Sequence, residues 1–227
     1  LWQKGGLAIV EASKIAMFGL LFFVLFPWAF NAALEINPAG RGAVGLATVP
    51  IQTLLVAAAF GRERMTVAKL AGVLLAFSGI ALAFGAAAFA GSGGTPVGDA
   101  LMLAGVLCAA VYSVFARETL MRHGPLLVTA LGMTCAVIVL VPVMVVRHGA
   151  AVAPSFSASG WLAVFFLGTV AGALQFSLFM WALSRLPPTT TVLYLTLNPL
   201  AAMTLGIMLL GETLTLELVL GMALVLA

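Results

Sequence analysis

Apolar residues occupy the chain in long stretches without the alternating polarity of membrane β-strands, and short polar or glycine- and proline-rich connections separate the stretches. A helix needs about 20 mostly apolar residues to cross a bilayer, whereas a strand of a membrane barrel needs about 10 with alternating polarity. The lengths of these stretches therefore predict membrane-spanning helices.

Eight such spans follow, numbered in chain order. They are Ile15–Leu34 (span 1), Gly40–Phe60 (span 2), Val67–Phe89 (span 3), Gly98–Thr119 (span 4), Pro125–Val146 (span 5), Gly160–Leu183 (span 6), Thr189–Leu210 (span 7) and Leu214–Ala227 (span 8). The connections are too short to hold another domain. The predicted fold class is all-α, a polytopic membrane helix bundle.

Composition supports lipid as the solvent of this chain. Of 227 residues, 63% are hydrophobic and 7% are charged, whereas a soluble domain has about a quarter of its residues charged. This composition excludes an ordinary soluble domain. The two cysteines, Cys108 and Cys135, lie inside apolar stretches, so neither a disulfide framework nor a metal site is expected.

The positive charges predict an orientation. With the N-terminus in the cytoplasm, eight of the ten lysines and arginines lie at the inner ends of spans, and only Arg41 and Arg147 lie outside. Positive residues favour the cytoplasmic side. The inner set is Lys4, Lys14, Arg62, Arg64, Lys69, Arg117, Arg122 and Arg185.

An internal repeat relates the two parts of the chain. An offset of 149 residues aligns Phe30–Ala76 with Phe179–Val225 without a gap, and nine pairs are identical. The informative pairs are Pro38/Pro187, Pro50/Pro199, Glu63/Glu212, Thr66/Thr215 and Gly72/Gly221. Spans 1–3 thus match spans 6–8. A displacement of five spans inverts the second copy in the membrane, and inverted repeats are typical of carriers with a site near the bilayer midplane.

The repeat also predicts the domain organisation. Residues 98–227 form a C-terminal repeat of five helices, the last of them truncated, whereas residues 1–90 contain three helices of an N-terminal repeat. We expect two further helices before Leu1, and therefore ten in the whole protein with eight visible in this chain.

The second copy resembles a known family. The stretches GDALMLAGVLCAAVYSVFARETL (98–120) and FMWALSRLPPTTTVLYLTLNPLAAMTLGIMLLGETLT (179–215) are similar to the EamA domain of the drug/metabolite transporter superfamily. The first copy departs from the family pattern, with Arg62-Glu63 where the family shows Gly-Glu. The resemblance implies a ten-helix exporter or exchanger of amino acids, other metabolites or drugs.

Polar side chains at mid-span depth are the candidate substrate-binding residues, because polar groups are expensive in hydrocarbon unless they face a cavity or the bundle interior. They are Thr48, Gln52, Tyr112, Gln175 and Asn198, with Tyr194 on the same helix face as Asn198 and with Trp181 near a span end. These neutral groups suit a zwitterion or a polar metabolite. The alternative is that they join helices, at about 0.6 kcal/mol for each contact.

Two prolines at repeat-related positions are candidate kink or gating residues. Proline removes a hydrogen bond inside a helix and clashes with the preceding turn, so Pro50 and Pro199 predict bends in spans 2 and 7. A fixed structural bend is the alternative.

The functional hypothesis is a carrier in the bacterial cytoplasmic (inner) membrane that moves a small polar or zwitterionic metabolite by alternating access, with amino-acid export as the leading substrate class. We expect a small molecule and the lipid bilayer as partners, and no cofactor, metal or nucleic acid. A drug, cation or nucleotide-sugar carrier is the alternative. An intramembrane enzyme is disfavoured, because His123 and His148 lie in predicted loops and an enzyme needs positioned acid–base or nucleophilic groups.

Overall fold

The computed structural model describes residues 9–89, 94–148, 156–198, 201, 208 and 216–226, and these residues form helices joined by short turns, with no strand. Six of the helices are long and apolar enough to cross a membrane. The predicted all-α membrane fold is confirmed.

The helices follow the predicted spans. Span 1 is helical over Ile9–Ile36, span 2 over Ala39–Leu46 and Val49–Ala59, span 3 over Val67–Phe89, span 4 over Pro96–His123, span 5 over Pro125–His148, span 6 over Ala158–Arg185, the start of span 7 over Pro188–Leu193 and Tyr194–Thr196, and span 8 over Leu216–Leu226.

Several helices extend beyond the hydropathy limits because they continue through charged residues. Span 1 begins before Glu11, where an ion pair with Lys14 joins adjacent turns at 3.5 Å. Span 4 continues to His123, with Arg122 bonded to Glu118 one turn earlier at 3.3 Å. Pairs of this spacing stabilise helices, so the charged ends are helical although they are too polar for the membrane core.

Within the described residues four spans are interrupted. The interruptions of spans 2 and 7 lie inside the aligned repeat, and those of spans 1 and 6 correspond when the same offset is extended beyond it. Span 1 has a π-helical segment at Leu21–Leu25 and span 6 has one at Leu167–Leu174. With the 149-residue offset, the first segment falls on residues 170–174, inside the second. Span 2 breaks at residues 47–48, and the equivalent residues 196–197 lie at the end of the 3₁₀ turn Tyr194–Thr196 in span 7.

The chain divides into two packing units. Unit 1 comprises residues Leu1–Val24 and Ala116–Arg185, and unit 2 comprises Leu25–Phe115 and Leu186–Ala227. Each unit contains segments from both sequence repeats. The division into repeats at residues 1–90 and 98–227 describes a relation between sequences, and it stays a prediction.

In unit 1, the repeat-related spans 1 and 6 meet through an aromatic cluster. The ring of Phe22 stacks on that of Phe179, with centroids 6.0 Å apart, and meets that of Phe176 edge to face at 5.8 Å. Phe23 contacts Phe176 in the same edge-to-face manner at 5.3 Å. Such geometry is favourable beyond the burial of the rings. The cluster therefore joins the two π-helical regions, since Phe22 and Phe23 lie in the first and Phe176 directly follows the second.

In unit 2, the repeat-related spans 3 and 8 cross at a close glycine contact. A Cβ atom added to Gly79 would lie 2.6 Å from the backbone oxygen of Gly221, whereas one added to Gly72 on the same helix would meet nothing within 4 Å. Small residues allow helix backbones to approach closely in membranes, where van der Waals packing drives association. Val73, Ala76 and Ile80 of span 3 are buried beside this crossing.

We predict that Gly79→Ala destabilises the protein and that Gly72→Ala does not. Overpacking costs about 1–3 kcal/mol, whereas replacing an uncrowded helical glycine by alanine is favourable by about 1 kcal/mol. The measurement is the apparent melting temperature of each purified variant in the same detergent. Equal melting temperatures for the two variants would contradict the close crossing.

Candidate functional site

The break in span 2 follows from Pro50. Proline has no N–H to donate to the carbonyl of Leu46, and its ring would clash with that carbonyl in a continuous helix. The first segment ends at Leu46, and Pro50 lies in the first turn of the second segment. Thr48 closes the break locally, since its hydroxyl donates to the Gly45 carbonyl at 2.6 Å and its N–H donates to the same oxygen at 3.0 Å.

Thr48 and Gln52 lie one helical turn apart at the start of the second segment, as their spacing predicts. The Gln52 amide Nε2 donates to the Thr48 hydroxyl and to the carbonyl of Leu103 in span 4, both at 3.4 Å. These distances are at the long end for hydrogen bonds. The side chain of Gln52 is partly exposed, so its amide can exchange these weak bonds for stronger ones to a ligand.

The corresponding region of span 7 is exposed. Tyr194 opens the 3₁₀ turn and is 61% exposed, and Asn198 after the turn is also exposed. The first turns of span 7 pack on the second segment of span 2 in unit 2. The repeat-related proline, Pro199, lies outside the described residues.

Tyr112 differs from the other candidates of unit 2. It is 1% exposed and is one of the largest fully buried side chains of the described residues. It lies in the packed interior, and its role in substrate binding stays a prediction.

Gln175 and Trp181 belong to unit 1. Gln175 directly follows the π-helical segment of span 6 and is exposed. The guanidinium of Arg185 lies over the Trp181 ring at 4.4 Å from its centroid, a cation–π contact within one helix. Trp181 thus has a partner at the span end, whereas Gln175 lies next to a helix irregularity of the kind that often marks functional sites.

Glu63 makes contacts that the sequence analysis did not predict. Gly61, with a φ of 65°, ends span 2 in a left-handed turn, and Arg62 N–H bonds back to the Ala57 carbonyl at 2.7 Å. The Glu63 side chain, only 4% exposed, accepts a hydrogen bond from Lys69 Nζ at 2.6 Å and another from the backbone N–H of Thr189 at 2.9 Å. The matching Glu63 and Glu212 of the repeat were the available sequence signal.

A second polar cluster, also missed by sequence reasoning, lies at the connection between spans 1 and 2. Buried Asn37 donates through Nδ2 to Asp99 Oδ1 at 2.8 Å and accepts from the Thr95 N–H at 2.8 Å. Arg41 donates to the other oxygen of Asp99 at 3.0 Å. The cluster joins the start of span 2 to the first turn of span 4.

The candidate residues offer neutral donors and acceptors. Within the described residues, no group of three or more His, Cys, Asp or Glu side chains could hold a metal ion. An amide such as Gln52 or Asn198 can donate to a carboxylate through its nitrogen and accept from an ammonium through its oxygen.

A family model agrees with these features. The model of the EamA-like transporter family matches residues 1–85 and 96–227. The six candidate spans and the match to this family together identify the chain as a multi-pass protein of the inner membrane.

Three curated relatives are similar to the chain. A probable terminal-alkyne amino-acid exporter of Streptantibioticus cattleyicolor is 31% identical over 77% of this chain and 57% of its own length. The uncharacterized inner membrane transporter YedA of Escherichia coli K12 is 27% identical over 88% of this chain and 64% of its own. The threonine/homoserine exporter RhtA of Salmonella typhimurium is 39% identical over 52% of this chain and 39% of its own. The chain thus spans less than two thirds of the length of these relatives.

A solved crystal structure shares the fold. It has a TM-score of 0.79 and 22% sequence identity, and the match covers 94% of this chain and 74% of that one. This likeness supports the helical architecture.

We predict that a cysteine at position 194 reacts with a charged, membrane-impermeant thiol reagent and that one at position 112 does not. Tyr194 is exposed beside a helix break and Tyr112 is buried, and a thiol reacts as the thiolate, which requires water. The measurement is the labelling rate of Tyr194→Cys and Tyr112→Cys, expected to differ roughly tenfold, with Cys108 and Cys135 replaced by alanine.

Ile138→Cys is the control for exposure to lipid alone, since Ile138 is 65% exposed on the apolar span 5. Labelling of Tyr194→Cys no faster than that of Ile138→Cys would mean that Tyr194 faces lipid.

Proposed function

The chain belongs to the EamA-like transporter family, and on this premise we propose that it forms a carrier that exports a small polar or zwitterionic metabolite, an amino acid, by alternating access. The observation that carries this proposal is the position of the helix interruptions. Spans 2 and 7 are interrupted at positions related by the repeat, and spans 1 and 6 are interrupted where the same offset, extended beyond the aligned residues, relates them. Carriers built from inverted repeats bind substrate at discontinuous helices.

Polar groups lie at these interruptions. Thr48 lies in the break of span 2 and Gln52 one turn after it, Tyr194 and Asn198 lie at the turn of span 7, and Gln175 follows the π-helical segment of span 6. Three of these side chains, Gln52, Gln175 and Asn198, are exposed or partly exposed amides. Hydrogen bonds to a charged partner contribute about 1.5–3 kcal/mol each, so the amides of Gln52 and Asn198 in unit 2 can bind the carboxylate or the ammonium of an amino acid.

The neutral character of these residues favours a zwitterion over a strongly anionic substrate. A phosphate or nucleotide group is usually bound by arginine or lysine. The lysines and arginines described in the structure lie at span ends or in connections, as with Arg41, Lys69, Arg117 and Arg185. Two of the relatives are named as exporters of amino acids, which supports the same substrate class.

We predict that Gln52→Ala, Gln175→Ala and Asn198→Ala each lower transport while expression stays near normal. Loss of one hydrogen bond to a charged substrate group of about 1.5–3 kcal/mol raises the half-saturating concentration roughly tenfold or more. The measurement is substrate counterflow of the full-length protein in proteoliposomes, with amino acids, nucleosides and cationic drugs as candidate substrates.

Thr134→Val is the matched control. The Thr134 hydroxyl donates to the Ala130 carbonyl of its own helix at 2.8 Å, so its removal leaves transport unchanged. Counterflow of nucleosides or cationic drugs without amino acids would contradict the substrate class, and normal transport by all three alanine variants would contradict the site.

A further inference from the structure

The starts of the two broken helices in unit 2 are related by the repeat and face opposite sides of the membrane. Span 2 starts after Pro38 and span 7 starts after Pro187, 149 residues later. In the predicted orientation, Pro38 lies outside and Pro187 lies in the cytoplasm. The two starts are therefore equivalent ends of equivalent helices.

A carboxylate from another segment holds the start of span 7. Glu63, in the turn after span 2, accepts the backbone N–H of Thr189 at 2.9 Å. Lys69 at the start of span 3 holds the second oxygen of the same carboxylate at 2.6 Å. We call the set Glu63, Lys69 and Thr189 the inner latch. The Glu63 side chain is almost fully buried, and a charge-assisted hydrogen bond is strong in such surroundings.

A different carboxylate holds the start of span 2. Asp99, in the first turn of span 4, accepts from Asn37 at 2.8 Å and from Arg41 at 3.0 Å. These two residues flank Pro38 on either side of the helix start. We call the set Asn37, Arg41 and Asp99 the outer latch.

The two latches have a similar arrangement of contacts but are formed by different residue types. In each, a carboxylate from a neighbouring segment binds the first turn of a broken helix. At the inner latch the bond goes to the backbone of Thr189, whereas at the outer latch it goes to the side chains of Asn37 and Arg41. Residues 40 and 41 are the repeat partners of residues 189 and 190. The two equivalent helix starts thus each bind a carboxylate, at opposite membrane faces in the predicted orientation, but they use different donor groups.

We propose that Glu63 and Asp99 are positioning residues that control which side of the membrane the carrier opens to, the inner latch closing the cytoplasmic side and the outer latch the external side. This proposal rests on alternating access in the proposed function. Opening to the cytoplasm separates Glu63 from Thr189 while the outer latch stays formed, and opening to the outside separates Asp99 from Arg41 and Asn37. Both latches are formed in the structure described here.

The experiment measures access to one thiol from each side of the membrane. Tyr194→Cys, without the native cysteines, is labelled with an impermeant charged thiol reagent in right-side-out and in inside-out vesicles. Glu63→Gln shifts the ratio of labelling rates roughly fivefold toward the cytoplasmic side, because a charged acceptor is lost. Asp99→Asn shifts it by a similar factor toward the outside.

Further variants separate a latch from a general structural role. The double variant Glu63→Gln/Asp99→Asn returns the ratio toward that of the parent, because both latches are weakened together. Glu63→Ala removes the acceptor and shifts the ratio in the same direction as Glu63→Gln. Glu118→Gln is the control, since Glu118 is exposed and pairs with Arg122 of its own helix, and it leaves the ratio unchanged.

The outcomes distinguish failure of the latches from failure of the carrier. Labelling from both sides with a ratio that does not move, or that moves in the same direction for Glu63→Gln and Asp99→Asn, overturns the latches while counterflow still supports the carrier. A thiol that is unlabelled from either side, together with no counterflow of any candidate substrate, overturns the proposed function and the latches with it.

Discussion

The structure depends on the requirement that backbone polar groups in hydrocarbon find partners within the protein. Water is absent there, and each unsatisfied N–H or C=O costs several kcal/mol. Spans 3 and 4 meet this requirement as continuous α-helices over their described residues, and span 5 is an α-helix that continues through Pro142. The interruptions in spans 1, 2, 6 and 7 are therefore exceptions that need local compensation. At the break of span 2, Pro50 has no N–H to satisfy, and the Thr48 hydroxyl and N–H both serve the Gly45 carbonyl.

The same requirement separates the polar groups by depth. Carboxylates and basic side chains lie near the ends of helices, where Glu63 pairs with Lys69 and Asp99 pairs with Arg41. Neutral amides and hydroxyls lie at the interruptions, as with Gln52 next to Thr48. A charged side chain at the centre of the bilayer costs about 2.5–3.5 kcal/mol even by insertion experiments, which give lower values than simulations. Charged groups at the ends can hold the helices, and neutral groups further along them remain available to a ligand.

The sequence predicted the spans well because hydrophobicity over about 20 residues is a strong signal. It also predicted the break near Pro50, because the effect of proline is local. It did not predict the π-helical segments at Leu21–Leu25 and Leu167–Leu174, although Pro27 shortly after the first and Gly168 and Gly172 within the second were local signals. Thr189 lies 126 residues from Glu63, and Asn37 and Arg41 lie 62 and 58 residues from Asp99, so the spacing of residues along the chain could not identify these partners. Burial likewise separates Tyr112 from the exposed Tyr194, although both lie within predicted spans.

Within unit 2, two kinds of contact differ in what can replace them. The backbone crossing of Gly79 and Gly221 is a van der Waals contact, and separating it would leave a gap in the packing with no other atoms to fill it. The contacts of Glu63 with Thr189 and of Asp99 with Arg41 are polar and lie at helix starts. Water that enters as such a contact opens can bond to both partners, so the net free energy of the bond is smaller than its gross strength. Spans 3 and 8 are thus suited to remain together, while the first turns of spans 2 and 7 are suited to separate from their carboxylates and bind them again. The proposed alternating access needs both kinds of contact, because the fixed crossing holds two helices together while the exchangeable contacts open.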